Sequence, residues 1–304
     1  MKCRLKLTIL VPVLCCILFA EGRAQEYPPD IQRIVDRGKL IVVMYYKDIP
    51  PFFMHTSVTS SPSSQRRGIP SPFWEGHDFY GVDVALALHI AEALGVECEF
   101  LRTPQTFDEI IETLQRHEAD IAISLLSKTL SRARKVLFTQ PYVVLHHGLL
   151  LNRLAMTGHR TGASLLDLLN RPGIRIGVKG GTSWVAFVHS IFPQATIQEY
   201  PTWDPDVIDA VRKGEVMAAY ADEIEIKKVI IAKPDIAIEL QTFIIKDIQD
   251  PIAISVPWDS RHFLAWLNMF LEQGYHSMTT DEILEAYSES LKGMAEKEIP
   301  EEND

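Results

Sequence analysis

Cysteine is scarce in this chain. Of four in 304 residues, Cys3, Cys15 and Cys16 sit at the extreme N-terminus and Cys98 stands alone in the remainder. A chain shorn of its first residues can form no intrachain disulfide, so packing must hold the fold together. Long apolar runs are just as scarce. The one extended run, Leu7 to Phe19, is 13 residues, short of the roughly 20 that a spanning helix needs. Lys2, Arg4 and Lys6 precede it and Gly22-Arg23-Ala24 follows, the pattern of a secretory signal peptide over residues 1–24. Pro12-Val13-Leu14 before Cys15 lacks the small residue of a lipid-anchored start. The mature chain is therefore expected to be soluble and periplasmic. Basic charge is also in deficit: 30 Lys and Arg face 40 Asp and Glu, and 26 face 39 once residues 1–24 are removed. Such a surface excludes nucleic acid and anionic lipid as natural partners.

Catalytic signatures are missing too. The chain has no Gly-x-Ser-x-Gly elbow, no phosphate loop ending in Lys-Ser/Thr and no His-Glu-x-x-His. His146 and His147 are adjacent on a strand-like run, where neighbouring side chains point to opposite faces, so they are poorly placed to chelate one metal. No cofactor is expected, and no enzyme activity.

What is present is a strand and helix alternation. Residues 39–45 read as a buried strand, and Val82 to Leu94 as a helix that Gly95 can end. Residues 96–101 read as a strand, Thr106-x-x-Glu109 as a capping box opening a helix over 107–116, and 119–124 as a further strand. A second series follows: a strand at 174–178, a helix from Thr182, a helix near 205–213, a strand at 216–220 and a helix from Asp222. This is the pattern of an α/β chain with mainly parallel sheets and helices on both faces. The apolar run 142–151 and a return near 242–252 would make a two-strand hinge. Lobe 1 is then expected over 30–145 plus 248–292 and lobe 2 over 146–247. The tail helices, the second opened by Thr279-x-x-Glu282, have no sheet of their own and must pack on one already built. Residues 54–80 read as a mobile insertion, with six serines between 57 and 71, and 293–304 as a disordered acidic tail.

The order of segments resembles the bacterial extracellular solute-binding proteins of family 3, amino-acid receptors of ABC importers with a type 2 periplasmic binding protein fold. The residues that carry it are Gly38-Lys39-Leu40 leading to Pro50-Pro51-Phe52, Gly81-Val82-Asp83, and the stretch Ser127-Lys128-Thr129-Leu130-Ser131-Arg132 through Phe138-Thr139-Gln140-Pro141-Tyr142. Gly177-Val178-Lys179-Gly180-Gly181-Thr182 and the run from Gly214 to Asp222 complete it.

The resemblance implies a role for each matching residue. Arg132 would clamp a ligand carboxylate through two parallel hydrogen bonds, and Ser127 would add a hydroxyl. Thr182 and the amides of its turn would reach the same carboxylate from the second lobe. Asp222 would accept the ligand's ammonium, although an N-cap role fits it equally. Phe107 would form an aromatic wall or a core contact, with Tyr46 or Phe52 facing it. Lys179 would meet an acidic ligand or sit at the rim. Leu125 stands where the family often has glycine, while Lys128, Ser131 and Leu137 also depart from the pattern. The implied partners are a small amino acid or related acid and the membrane permease of an importer, with a monomer as the working state. The fold also implies two alternatives, an accessory or sensor module and a periplasmic dehydratase.

Overall fold

The computed structural model describes residues 26–55, 78–157, 164–275, 278–288 and 291. The expected signal peptide, residues 56–77 of the expected insertion and the tail 293–304 lie outside them. Among these residues ten strands run in chain order: β1 (Lys39–Val43), β2 (Met54–His55), β3 (Phe79–Tyr80), β4 (Glu97–Leu101), β5 (Ile121–Ala122), β6 (Leu137–Asn152), β7 (Arg175–Lys179), β8 (Thr196–Tyr200), β9 (Ala218–Asp222) and β10 (Leu240–Val256). Eight form one sheet in the order β4-β1-β5-β10-β6-β9-β7-β8. The two outer groups, β4-β1-β5 and β9-β7-β8, are internally parallel. The long strands β6 and β10 pair antiparallel at the centre and pass through both groups. Two α/β lobes thus share one curled sheet, where the sequence suggested separate sheets, because β6 and β10 extend beyond the hinge at both ends.

Register breaks at the crossing point. His147 faces Ile245 and His146 faces Gln249, so residues 246–248 of β10 are extra on that side. A bulge of this kind bends the strand and loosens the ladder locally. The expected insertion is also narrower than its flanks suggested: Met54 pairs with Tyr80 and His55 with Phe79, so both ends belong to an ordered two-stranded ribbon.

Each lobe has its own core. The helix Val82–Leu94 is apolar on nearly every side and buried from Val82 to Leu88, so it packs in the first lobe's interior with β1, Phe52, Phe53 and the helix Arg261–Gly274. In the second lobe the sheet faces Ile176, Val178, Val188 and Tyr220 on one side and Val207, Val211 and Ile226 on the other. Capping follows the sequence closely. Thr279 and Glu282 form the full reciprocal box, whereas Thr106 caps Glu109 N while the Glu109 carboxylate turns to Gln105 N at 2.7 Å. No helix among the described residues is long and apolar enough to cross a membrane.

Candidate functional site

A cleft of about 190 Å³ opens between the lobes, bounded on the first-lobe side by Asp48, Ile49, Pro50, Phe107, Leu125, Ser127 and Arg132. Sites for drug-sized ligands span ~300–1,000 Å³, so this one suits a smaller solute. Thr129 caps the short helix Leu130–Ala133 by accepting from Arg132 N. That cap sets the direction in which Arg132 leaves the backbone. The guanidinium donates Nη1 to Ser127 O at 3.0 Å and lies 5.7 Å from the centroid of the Phe107 ring. Phe107 in turn stacks on Tyr45 at 5.1 Å and 9°. A planar cation is thereby held on an aromatic face, and its other nitrogens make no hydrogen bond among the described residues. Burial lowers its pKa, opposed by Asp108 and Asp250, yet an arginine stays charged.

Leu125 shows why the family's glycine is missed. Its φ is +47°, the left-handed region that an L-residue enters at a cost of ~1–2 kcal/mol. Asp83 holds it there: Oδ2 accepts from Leu125 N at 2.7 Å and Oδ1 from Tyr142 Oη at 2.7 Å. Asp83 is fully buried, and that burial pushes its carboxyl up to about 7, with the two hydrogen bonds opposing. Leu125→Gly relieves the backbone but loses a half-buried side chain, so its unfolding free energy in urea should stay within about 1 kcal/mol of the parent. Leu125→Ala keeps the strain and loses the burial, and should cost about 1–2 kcal/mol more. An alanine variant as stable as the glycine variant would refute this reading of the strain.

The second lobe contributes Lys179, Thr182, Ser183, Trp184, Trp203, Asp222, Glu225 and Lys228. Gly181, at φ +71°, turns the chain from β7 into the helix Ser183–Ile191. Thr182 Oγ1 donates to Lys179 O at 2.8 Å, and the helix has no side-chain cap. Its first-turn amides therefore face the cleft without a side-chain acceptor, the condition for attracting an anion. Asp222 ends β9 and is the N-cap of the helix Glu223–Ala232, accepting from Glu225 N at 2.9 Å. It both caps the helix and lines the cleft. Burial raises its pKa, with Glu225 adding to the rise. The pKa of Lys179 is lowered by burial in the first place, opposed by Glu225 and reinforced by Lys47 and Lys228. The Ser127 and Ser183 hydroxyls meet at 2.8 Å across the cleft, so the two walls touch directly.

Seven of the nine sequence-nominated residues border this cleft, namely Arg132, Ser127, Thr182, Asp222, Phe107, Leu125 and Lys179. Two do not. Phe52 is wholly buried in the first lobe's core, because its carbonyl docks on the start of the helix Val82–Leu94 and the ring points inward with it. Tyr46 is 38% exposed outside the cleft lining, edge-on to Tyr45. The aromatic surface opposite Phe107 comes instead from Trp184 and Trp203, which pack edge to face at 5.9 Å. Asp48 also lines the cleft, with Arg102 Nη2 at 2.9 Å and His55 Nδ1 at 2.8 Å as partners. Asp250 was not nominated either, although it lies within the expected hinge return 242–252.

Outside the cleft, His146 Nδ1 lies 3.1 Å from Glu223 Oε1. His147 is buried between Phe187 and Tyr220, where burial pushes its pKa down to about 4. The two imidazoles have different surroundings, as the strand alternation requires.

Two lobes on a two-strand crossover, closing over a polar cleft that carries a cation on one wall and an acid on the other, define a solute-binding protein. The chain belongs to the bacterial extracellular solute-binding proteins, family 3, whose model matches residues 69–290. An ABC transporter arginine-binding protein of Escherichia coli is 23% identical over 198 residues, 63% of this chain and 74% of the relative. Two further arginine-binding relatives are matched over only 54% and 56% of their length. A putative ABC transporter binding component of Wolinella succinogenes, complexed with lysine, is 25% identical at a TM-score of 0.61, covering 82% of this chain and 95% of that one. An ancestral amino-acid-binding protein, described as a precursor of cyclohexadienyl dehydratase, shares the fold at a TM-score of 0.59 and 24% identity, covering 84% and 97%. The type 2 periplasmic binding protein fold is therefore that of this chain.

Proposed function

We propose that this protein captures a single small amino acid between its lobes, without transforming it, and delivers it to the membrane permease of an ABC importer. The observation that carries the reading is the pairing of Arg132 on one wall with Asp222 on the other. A free amino acid presents a carboxylate and an ammonium a few bonds apart, and each would find its counter-charge only when both lobes engage it. Closure is then a population shift, because the ligand makes its full set of contacts in one state alone.

In this scheme the lobes comprise 30–145 with 248–292 and 146–247, and they move about the register break beside His146 and His147. The mature chain acts in the periplasm as a monomer after cleavage near Ala24. The roles follow the placement: Arg132 and Ser127 take the carboxylate with Thr182 and its helix amides, Asp222 takes the ammonium, and Phe107 with Leu125 borders the side chain. Lys179 and Lys228 add positive charge to the second-lobe wall.

A thermal-shift screen of the mature protein against the twenty common L-amino acids tests this. Arginine and lysine head the panel because the relatives bind them. A ligand at a hundred times its Kd adds about 2.7 kcal/mol to the native state, which for a chain of this size raises Tm by several degrees. Unchanged melting with every member would refute the reading and favour an accessory module, while conversion of prephenate would favour the dehydratase.

A further inference from the structure

Asp250 is an acid that the amino-acid reading leaves without a task. It sits on β10 opposite Leu145, just past the register break, and only 2% of it is exposed. Oδ2 accepts from Ser127 Oγ at 2.9 Å, while the buried Oδ1 has no hydrogen-bond partner among the described residues. The residue nonetheless lines the cleft. A buried carboxylate oxygen without a donor costs free energy that the fold would normally recover with a hydrogen bond. The charged and titratable groups whose fields reach it are Arg132 from the first lobe and Asp222 and Tyr220 from β9. It therefore stands between the proposed carboxylate clamp and the proposed ammonium acceptor.

A primary ammonium has three N–H donors, and one carboxylate cannot serve them all. We propose that Asp250 is a second acceptor for the ligand's ammonium, acting with Asp222, and that the cleft consequently selects amino acids with an unsubstituted amine over their desamino and N-alkylated analogues. The inference rests on the amino-acid reading of the cleft and refines it. The Ser127 hydroxyl has two roles in this arrangement. Its one proton goes to Asp250 Oδ2 while Ser183 meets it across the cleft, so a ligand that parts the two serines reaches the acid beneath them, and once the ammonium serves Asp250 that proton is free for the ligand's carboxylate.

Burial pushes the Asp250 carboxyl up to about 7, against the pull of Ser127 and Arg132. An arriving ammonium favours the ionised form, so binding should release protons near neutral pH.

The test is isothermal titration of the mature wild type and Asp250→Asn with the twenty L-amino acids and, for each that binds, its desamino and N-methyl analogues. The asparagine keeps the size of the residue and an acceptor for Ser127. Affinity for the amino acid should fall tenfold or more in the variant, while the desamino analogue binds both proteins within twofold of each other. Retained affinity for the amino acid, or an equal loss for the desamino analogue, overturns the inference and leaves the amino-acid reading standing. A wild type that binds no amino acid overturns both. Should Asp250→Asn fail to fold, Asp250→Ser, which removes the carboxylate and keeps a polar partner for Ser127, takes its place in the same titrations. A tenfold or larger loss for the amino acid with the desamino analogue unaffected supports the role, and retained affinity for the amino acid or an equal loss for both ligands overturns it.

Discussion

Arg132→Ala is expected to weaken amino-acid binding by at least a hundredfold while leaving the fold intact. Among the described residues the guanidinium makes one hydrogen bond, to Ser127 O, and it lies against Phe107. Losing these costs the ligand-free protein about 1 kcal/mol. The bound state suffers more. Truncating one partner of a desolvated charge pair costs about 2–5 kcal/mol, much of it from the carboxylate left buried without its counter-charge. Arg132→Lys should recover only part of this, because an ammonium keeps the charge but not the planar fork that meets both carboxylate oxygens. Calorimetric titration of wild type, Arg132→Ala and Arg132→Lys with the amino acid that gives the largest thermal shift decides it. Affinity within threefold of wild type in the alanine variant would remove Arg132 from the site.

Much of this architecture was legible because local chemistry determined it. Gly95 ends its helix in the left-handed conformation the sequence suggested, and Thr279 and Glu282 close their box. The Ser127 to Tyr142 stretch also accounts for itself residue by residue. Thr129 caps, Arg132 reaches the cleft, Thr139 Oγ1 accepts from Ile254 N at 3.1 Å, and Tyr142 braces Asp83. Lys128, which departs from the family pattern, places its ammonium on Thr139 O at 3.0 Å and stays out of the cleft lining.

What escaped the sequence depends on partners far away along the chain. Asp250 looks like one polar residue in a strand; its partner Ser127 lies 123 residues away along the chain and reaches it because the segment after β5 bridges to Ile252. Trp184 and Trp203 lie on separate second-lobe elements and become one surface only when β7 and the turn after β8 come together. The strand β8 itself alternates weakly, with Thr196, Gln198 and Glu199 exposed at the sheet edge, so it offered little periodic signal. Phe52 failed for a related reason. Its proline-rich neighbourhood marks a loop near the ligand, but which way the ring turns depends on a backbone contact with Gly81 that no local pattern encodes.

That contact supports the second large expectation, for Gly81→Ala. Gly81 has φ +133°, and an added Cβ would fall 2.3 Å from Phe52 O, 2.6 Å from Phe52 C and 2.8 Å from Pro51 O. These are backbone atoms, so no rotamer change relieves the clash. The close approach has a function: Val82 N donates to Pro51 O at 3.1 Å and Asp83 N to Phe52 O at 2.9 Å. Two of the helix's orphan N-terminal donors are satisfied this way, and the same loop carries Asp48, Ile49 and Pro50 into the cleft wall. Gly38 provides the control, with a φ of +69° and nothing within 4 Å of its added Cβ. Gly38→Ala should cost about 1 kcal/mol, the left-handed penalty alone. Gly81→Ala should cost about 3 kcal/mol or more, because the clash and the lost helix-terminal bonds add to that penalty. It should also weaken ligand binding, since the loop must move away from the helix. Urea unfolding of the two variants measures the difference, and equal losses would show that the loop can retreat without cost.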